Sequence, residues 1–240
     1  MEVHAHSHSH GKKTWRSYFW EFLMLFLAVF CGFLAEYQLE HMIEHNKERE
    51  YMESMIEDLA QDTTEVNRAN SRILEVDKSL DSLLDLMELP ISKNKNDLKK
   101  LYDLHYYNMG GEPALFSQRT ISQLKNAGGL RLIRRKNVAD SITLYDTKVQ
   151  YYAGIVKSYD EVTTEMINEG FMIFDNQYIR HNFETGSISL LTNNATTIRH
   201  YANCVFMVQI VDKYYNRYLI QQKKLAVALM ALIKKEYHLK

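Results

Sequence analysis

Residues 18–37 read Tyr18-Phe19-Trp20-Glu21-Phe22-Leu23-Met24-Leu25-Phe26-Leu27-Ala28-Val29-Phe30-Cys31-Gly32-Phe33-Leu34-Ala35-Glu36-Tyr37. No charged residue occurs between Phe22 and Ala35. As a helix, a stretch of this length rises ~30 Å, the hydrocarbon thickness of a bilayer. Trp15, Tyr18, Trp20 and Tyr37 sit at its two ends, where amphipathic rings prefer the membrane–water interface. The stretch is therefore read as one retained transmembrane helix. A cleaved signal peptide needs small residues at the cleavage site, and Phe33 stands two residues before Ala35. A lipoprotein signal needs a small residue before its cysteine, and Phe30 precedes Cys31. A buried helix of a soluble protein is the remaining rival, but no other segment is apolar enough to cover so uniform a face.

Lys12, Lys13 and Arg16 precede the span, and Glu36, Glu40 and Glu44 follow it. The positive-inside rule then predicts a cytoplasmic N-terminus and an exported remainder. The expected organisation is a His-rich cytoplasmic tail over 1–17, a transmembrane helix over 18–37, and a helical periplasmic domain over 38–240. The expected location is the inner (cytoplasmic) membrane, crossed once. Glu21 lies about one turn inside the cytoplasmic boundary, and is read as an interfacial acid reaching toward Arg16 or the headgroups.

Beyond the span, Met52, Leu59, Val66, Ile73, Leu80 and Met87 recur every seven residues. Met55, Ala69, Val76 and Leu83 fill intermediate positions, and Asp62 is the exception. This is a coiled-coil-like seam of period 3.5, which packs either inside the domain or against a second copy. It is the candidate interaction seam. Pro90 is expected to end this helix. A second helix fits Asp97–Asn108, entered from Asn94 or Asn96 and stopped by Gly110-Gly111. A third fits Gln118–Ala127, capped by Ser117. Asn137 is expected to cap a fourth, with Val138, Ile142, Tyr145, Val149, Tyr152, Val156 and Tyr159 on one face, continuing less regularly through Met166, Phe174 and Tyr178. Glu184-Thr185-Gly186-Ser187 reads as a turn. A last long helix runs from about Asn194 to Tyr237. With two prolines and nine glycines in 240 residues and no sustained alternation, the fold class is all-α. The architecture expected is the N-terminal transmembrane helix continuing into a long helix, then an antiparallel helical bundle.

A net charge of -1 gives no case for nucleic acid as a partner. Cys31 and Cys204 form no disulfide framework, and Cys204 is expected in a helical core. His4, His6, His8 and His10 alternate with small residues, a tract able to chelate zinc, nickel or copper loosely. His41-Met42-Ile43-Glu44-His45 matches the inverted zinc-peptidase pattern H-x-x-E-H, with both histidines on one helix face. It directly follows the span and lacks the mixed scaffold of those peptidases, so it is read as a membrane-proximal helix. Arg131, Arg134, Arg135 and Lys136 form the densest basic cluster, suited to an anionic ligand or a solvated loop. The sixteen tyrosines are expected to pack inside with their hydroxyls at the boundary. No P-loop or dinucleotide fingerprint is present, and no cofactor or catalytic residue is expected.

Two segments carry a resemblance. Trp15–Tyr37, running on through Glu48-Arg49-Glu50-Tyr51-Met52-Glu53-Ser54-Met55-Ile56-Glu57-Asp58-Leu59, is similar to the start of a family of uncharacterised single-span inner-membrane proteins of Gram-negative bacteria. Thr120–Ile133, followed by Asp140-Ser141-Ile142 and Tyr145, resembles their second landmark. The resemblance implies inner-membrane location and a helical exported domain, and supplies no site. The expected function is a non-enzymatic, membrane-anchored helical interaction or scaffold module. Its expected partners are the lipid bilayer and a second copy or another envelope protein. The alternative is a periplasmic sensing domain for a small molecule or envelope state, signalling through a partner.

Overall fold

A computed structural model describes residues 14–88, 94–126, 128–181 and 188–239. The described chain is helical, apart from turns and one isolated antiparallel bridge between Phe174 and Leu190. Its helices are α1 (Trp15–Glu88), α2 (Lys95–Tyr107), α3 (Arg119–Asn126), α4 (Lys136–Gly170), α5 (Asn176–Arg180) and α6 (Ala195–Tyr237), with a 3-10 turn over Gly129–Leu132. The chain divides into two units, Met1–Glu50 and Tyr51–Lys240, and α1 contributes to both.

In the first unit, α1 is long and apolar enough to cross a membrane, and none of its most apolar 18-residue window is buried. Phe22, Phe26 and Phe30 stack in file, with centroids 6.3 and 5.9 Å apart. Residues four apart on a helix share a face, which brings the rings together.

The second unit is built around three apolar clusters. Met52, Met55 and Leu59 of α1 pack with Val138 and Ile142 of α4 and Leu229 and Ile233 of α6. Val66, Ala69 and Ile73 pack with Tyr152 of α4 and Tyr215 and Leu219 of α6. Val76, Leu80, Leu83 and Met87 pack with Met166 of α4, Tyr201, Val205 and Val208 of α6, and Leu98 and Leu101 of α2. Read upward along α1, the clusters take α4 in ascending order and α6 in descending order. The seven-residue period explains why one edge of α1 serves all three, since a 3.5-residue repeat keeps one face toward its neighbours. Each buried Leu or Met contributes ~1.5–3 kcal/mol of transfer free energy.

Local chemistry sets the helix ends. The Asn94 side chain accepts from the Asn96 N–H at 3.0 Å and starts α2. Asn194 accepts from the N–H groups of Thr196 and Thr197 at 2.9 and 3.1 Å and starts α6. Several boundaries differ from expectation: α2 begins at Lys95 rather than Asp97, and α3 at Arg119 rather than Gln118. α4 begins at Lys136, with Arg135 in the capping position and no side-chain cap there. It stops at Gly170, so Phe174 lies in the bridge and Tyr178 in α5, off the α4 stripe. α1 ends at Glu88. Pro90 and the Glu184–Ser187 turn lie outside the described residues.

Candidate functional site

The structure distributes the sequence-derived candidates unevenly. His4, His6, His8 and His10 lie outside the described residues. His41 and His45 are exposed on α1 in the first unit, and His41 stacks on Tyr37 with centroids 6.1 Å apart. Among the described residues, no group of three or more His, Cys, Asp or Glu side chains is placed to hold a metal ion. Met52, Leu59, Val66, Ile73, Leu80 and Met87 are all buried within the second unit. Of the two arrangements open to the seam, the observed one is packing inside the domain. Arg131, Arg134, Arg135 and Lys136 are exposed across the 3-10 turn and the start of α4, where Arg135 Nε lies 3.8 Å from Glu236. Cys204 is buried in the core.

What the sequence left unassigned is a polar interior. Asp58 and Asp62, one turn apart on α1, are 4% and 1% exposed. Asp58 accepts from the Thr120 N–H at 2.9 Å and from Arg119 Nε at 3.0 Å, so the first turn of α3 is capped from a different helix. Burial alone raises an acid's pKa. Here bonds from Thr120 and Ser117, with the Arg119 guanidinium, outweigh burial and hold Asp58 below its usual value. Asp62 accepts from the Ser117 N–H at 2.7 Å and the Tyr145 hydroxyl at 2.6 Å. It is more deeply enclosed, and burial pushes it up to about 6.

Further along, the Ala114 N–H donates to the hydroxyls of both Tyr152 and Tyr215, at 3.0 and 2.9 Å. Those hydroxyls also bond each other, and their rings stack at 5.3 Å. At Gly111, an added Cβ would sit 2.6 Å from Cε1 of Tyr159, so the backbone lies against that ring. The segment between α2 and α3 is therefore held along the interior by tyrosine hydroxyls and two α1 carboxylates. Beside it lies a cavity of about 20 Å³, lined by Arg72, Gly111, Tyr159, Asp212 and Tyr215 among others. That volume suits a single water and excludes an organic ligand. Asp212 is 1% exposed, and its Oδ2 accepts no hydrogen bond. Burial and the nearby Asp77 carboxylate push it up to about 7.

His105 is fully buried. Its Nδ1 lies 2.6 Å from the Tyr201 hydroxyl, its ring stacks on Phe174 at 4.1 Å, and its Nε2 has no hydrogen-bond partner. Burial lowers it to about 4. The Tyr102 hydroxyl accepts from the Asp175 N–H at 2.8 Å and donates to the Ser189 carbonyl at 2.9 Å, tying both sides of the α4–α6 connection to α2. Apart from Asp212, each of these groups holds backbone or another side chain. The tyrosine hydroxyls thus lie inside the domain as well as at its boundary, where they were expected.

A second concavity is an open groove of about 870 Å³ beside the end of α1 and the start of α6, lined by Leu84, Met87, Glu88, Ile198, Arg199 and Phe206 among others. Asp62 had one sequence signal, as the acid interrupting the heptad seam. His105, Asp58 and Asp212 had none, because their roles depend on partners distant in the chain. No protein-family model, no curated protein and no solved structure matches this chain.

Proposed function

We propose that this protein is a membrane-anchored helical interaction module without catalytic activity. It sits in the inner (cytoplasmic) membrane, with the N-terminus cytoplasmic and residues 38–240 forming a periplasmic antiparallel bundle. The observation that carries the reading is the α1 segment of the first unit, whose most apolar 18-residue window is entirely unburied. A face that greasy in water costs ~25 cal/mol per Å² of exposed apolar area, and lipid removes that cost. The bundle is supported by the order of the three clusters, in which α6 meets α1 from the opposite end to α4. The non-enzymatic part is supported by the interior polar groups, whose bonds hold the segment between α2 and α3 and the α4–α6 connection. Membership of the single-span inner-membrane family rests on the resemblance of residues 15–59 and 120–145. In native membranes, chemical crosslinking is expected to trap a homo- or hetero-oligomer. A strictly monomeric particle in mild detergent, with nothing crosslinked in membranes, overturns the interaction role. Recovery of the full chain in the soluble fraction without detergent overturns the anchor.

The open groove favours a second reading, small-molecule sensing. It predicts that a bound ligand protects the start of α6 from hydrogen exchange. Unchanged exchange across a metabolite panel removes it.

A further inference from the structure

α6 carries two heptad seams. The inner one, including Tyr201, Val205, Val208, Asp212, Tyr215 and Leu219, is buried. Five residues further on, about 140° around a helix of 3.6 residues per turn, lies a second. Phe206, Lys213, Ile220 and Val227 recur every seven residues, and all four are exposed. Ile210, Arg217, Lys224 and Ala231 fill the intermediate positions, half-buried at Ile210 and exposed at the others. Large apolar side chains stay in solvent along this face: Phe206 is 50% exposed, Ile220 44% and Val227 49%. A shallow groove on it is lined by Ile210, Lys213, Tyr214 and Arg217. The charge that α6 itself contributes is one-sided, and Glu88 of α1 stands only at the Phe206 end. From Ala195 to Lys235 the only acid is Asp212, which is buried on the inner seam.

We propose that the outer face of α6 docks an acidic amphipathic helix of a different protein. This deepens the interaction-module reading and rests on it. The 4-3 alternation suits helix-on-helix packing, with the partner's apolar residues against Phe206, Ile220 and Val227 and its carboxylates opposite Lys213, Arg217 and Lys224. A second copy of α6 is a poor occupant. Packed parallel in register it sets Lys213 against Lys213, and in the antiparallel register that overlaps the whole stripe it sets Lys213 against Lys224, like charges that repel. Helices that lie on membranes separate a broad apolar face from a charged one. Here apolar and cationic side chains are interspersed within one stripe.

The test uses the full chain in detergent micelles and two labelled synthetic peptides of about four heptads. One carries Leu at a and d positions with Glu flanks, and the other is a scrambled sequence of the same composition. The ordered peptide is expected to bind saturably and more weakly as salt rises. Both Ile220→Glu and the triple variant Lys213→Glu/Arg217→Glu/Lys224→Glu should weaken it at least about tenfold, or 1.4 kcal/mol. These positions are exposed, and an unchanged far-UV spectrum verifies folding. A peptide with Lys in place of Glu should regain binding to the triple variant, which a merely unfolded protein would not give. Equal binding of the scrambled peptide, no saturable binding, or indifference to both variants overturns the proposal. Displacement of the peptide when the micelles are doped with phosphatidylglycerol but not with phosphatidylcholine, with the scrambled peptide bound equally, assigns the face to lipid and also overturns it. If every hetero-oligomer crosslinked in native membranes persists in the triple variant, the α6 assignment falls while the interaction role stands.

Discussion

The Tyr145 hydroxyl donates to Oδ2 of Asp62 across 2.6 Å, joining α4 to the one acid in the α1 seam. With the Ser117 N–H, it supplies the donors that make a buried carboxylate tolerable. Tyr145→Phe removes one donor and leaves the carboxylate's other oxygen without it. The expected cost is about 1–3 kcal/mol, with the loss larger at pH 8 than at pH 4, where Asp62 takes up a proton and needs the donor less. Thermal unfolding followed by circular dichroism of the full chain in detergent measures it. Equal melting temperatures for parent and variant at both pH values would show the bond to be unimportant.

Asp212 gives a second, sign-specific expectation. Its folded pKa is pushed up to about 7, above the ordinary 3.8, by burial and by Asp77. The folded chain therefore binds this proton more tightly than the unfolded chain. The stability it confers is complete below about 3.8 and is lost as pH rises toward about 7. Asp62 acts in the same direction up to about 6. His105, lowered from 6.5 to about 4 by burial, acts in the opposite direction across its own window. Tyr159 and Tyr215 line the same cavity, and burial raises both hydroxyls above the ordinary tyrosine value, clear of those limits. Asp212→Asn isolates one contribution. The variant should match or exceed the parent's stability at pH 7.5, and its advantage should shrink progressively toward pH 4. A parent-minus-variant difference that stays flat with pH contradicts the assignment.

The limits of the sequence follow from range. α6 and the α1 seam are legible because a period of 3.5 is written within each segment, and Asn94 and Asn194 are legible because their capping bonds are local. The cap of α3, expected at Ser117, is not: the helix starts at Arg119, and the acceptor for the Thr120 N–H is Asp58, 62 positions away. The same holds for Ala114, whose N–H is shared by Tyr152 and Tyr215, 38 and 101 positions distant. A tyrosine at a core position reads as packing, and its hydroxyl's partner is set only when the chain has folded. His41 and His45 stood out because they fit a motif, whereas His105, the one fully buried histidine among the described residues, fits none.

Gly170 ends α4 beside His105, where an added Cβ would sit 2.7 Å from the ring's Nε2 and closer still to Cε1. Gly→Ala in a helix ordinarily stabilises by about 0.5–1 kcal/mol. Here Gly170→Ala should destabilise instead, by about 1–3 kcal/mol, because His105 is held between Phe174 and Tyr201 and cannot retreat. The double variant Gly170→Ala/His105→Ala should recover part of that loss relative to His105→Ala alone. Urea unfolding of all four proteins in one cycle gives the coupling. A coupling of zero means the contact relaxes freely.

The seam supplies the last expectation. Leu59 and Leu80 are fully buried, each in a cluster shared with α4 and α6. Either Leu→Ala change removes packing from a filled site and should cost about 2–5 kcal/mol. If the domain instead used this seam between chains, the same changes would dissociate an oligomer with little effect on a monomer's stability. The two mechanisms separate by protein concentration. A melting temperature lowered equally at dilute and concentrated protein identifies intramolecular packing, whereas a deficit that vanishes on concentration identifies an intermolecular seam. With both leucines enclosed by helices of their own chain, the concentration-independent result is expected. A disulfide between copies through Leu59→Cys in the folded protein would contradict it.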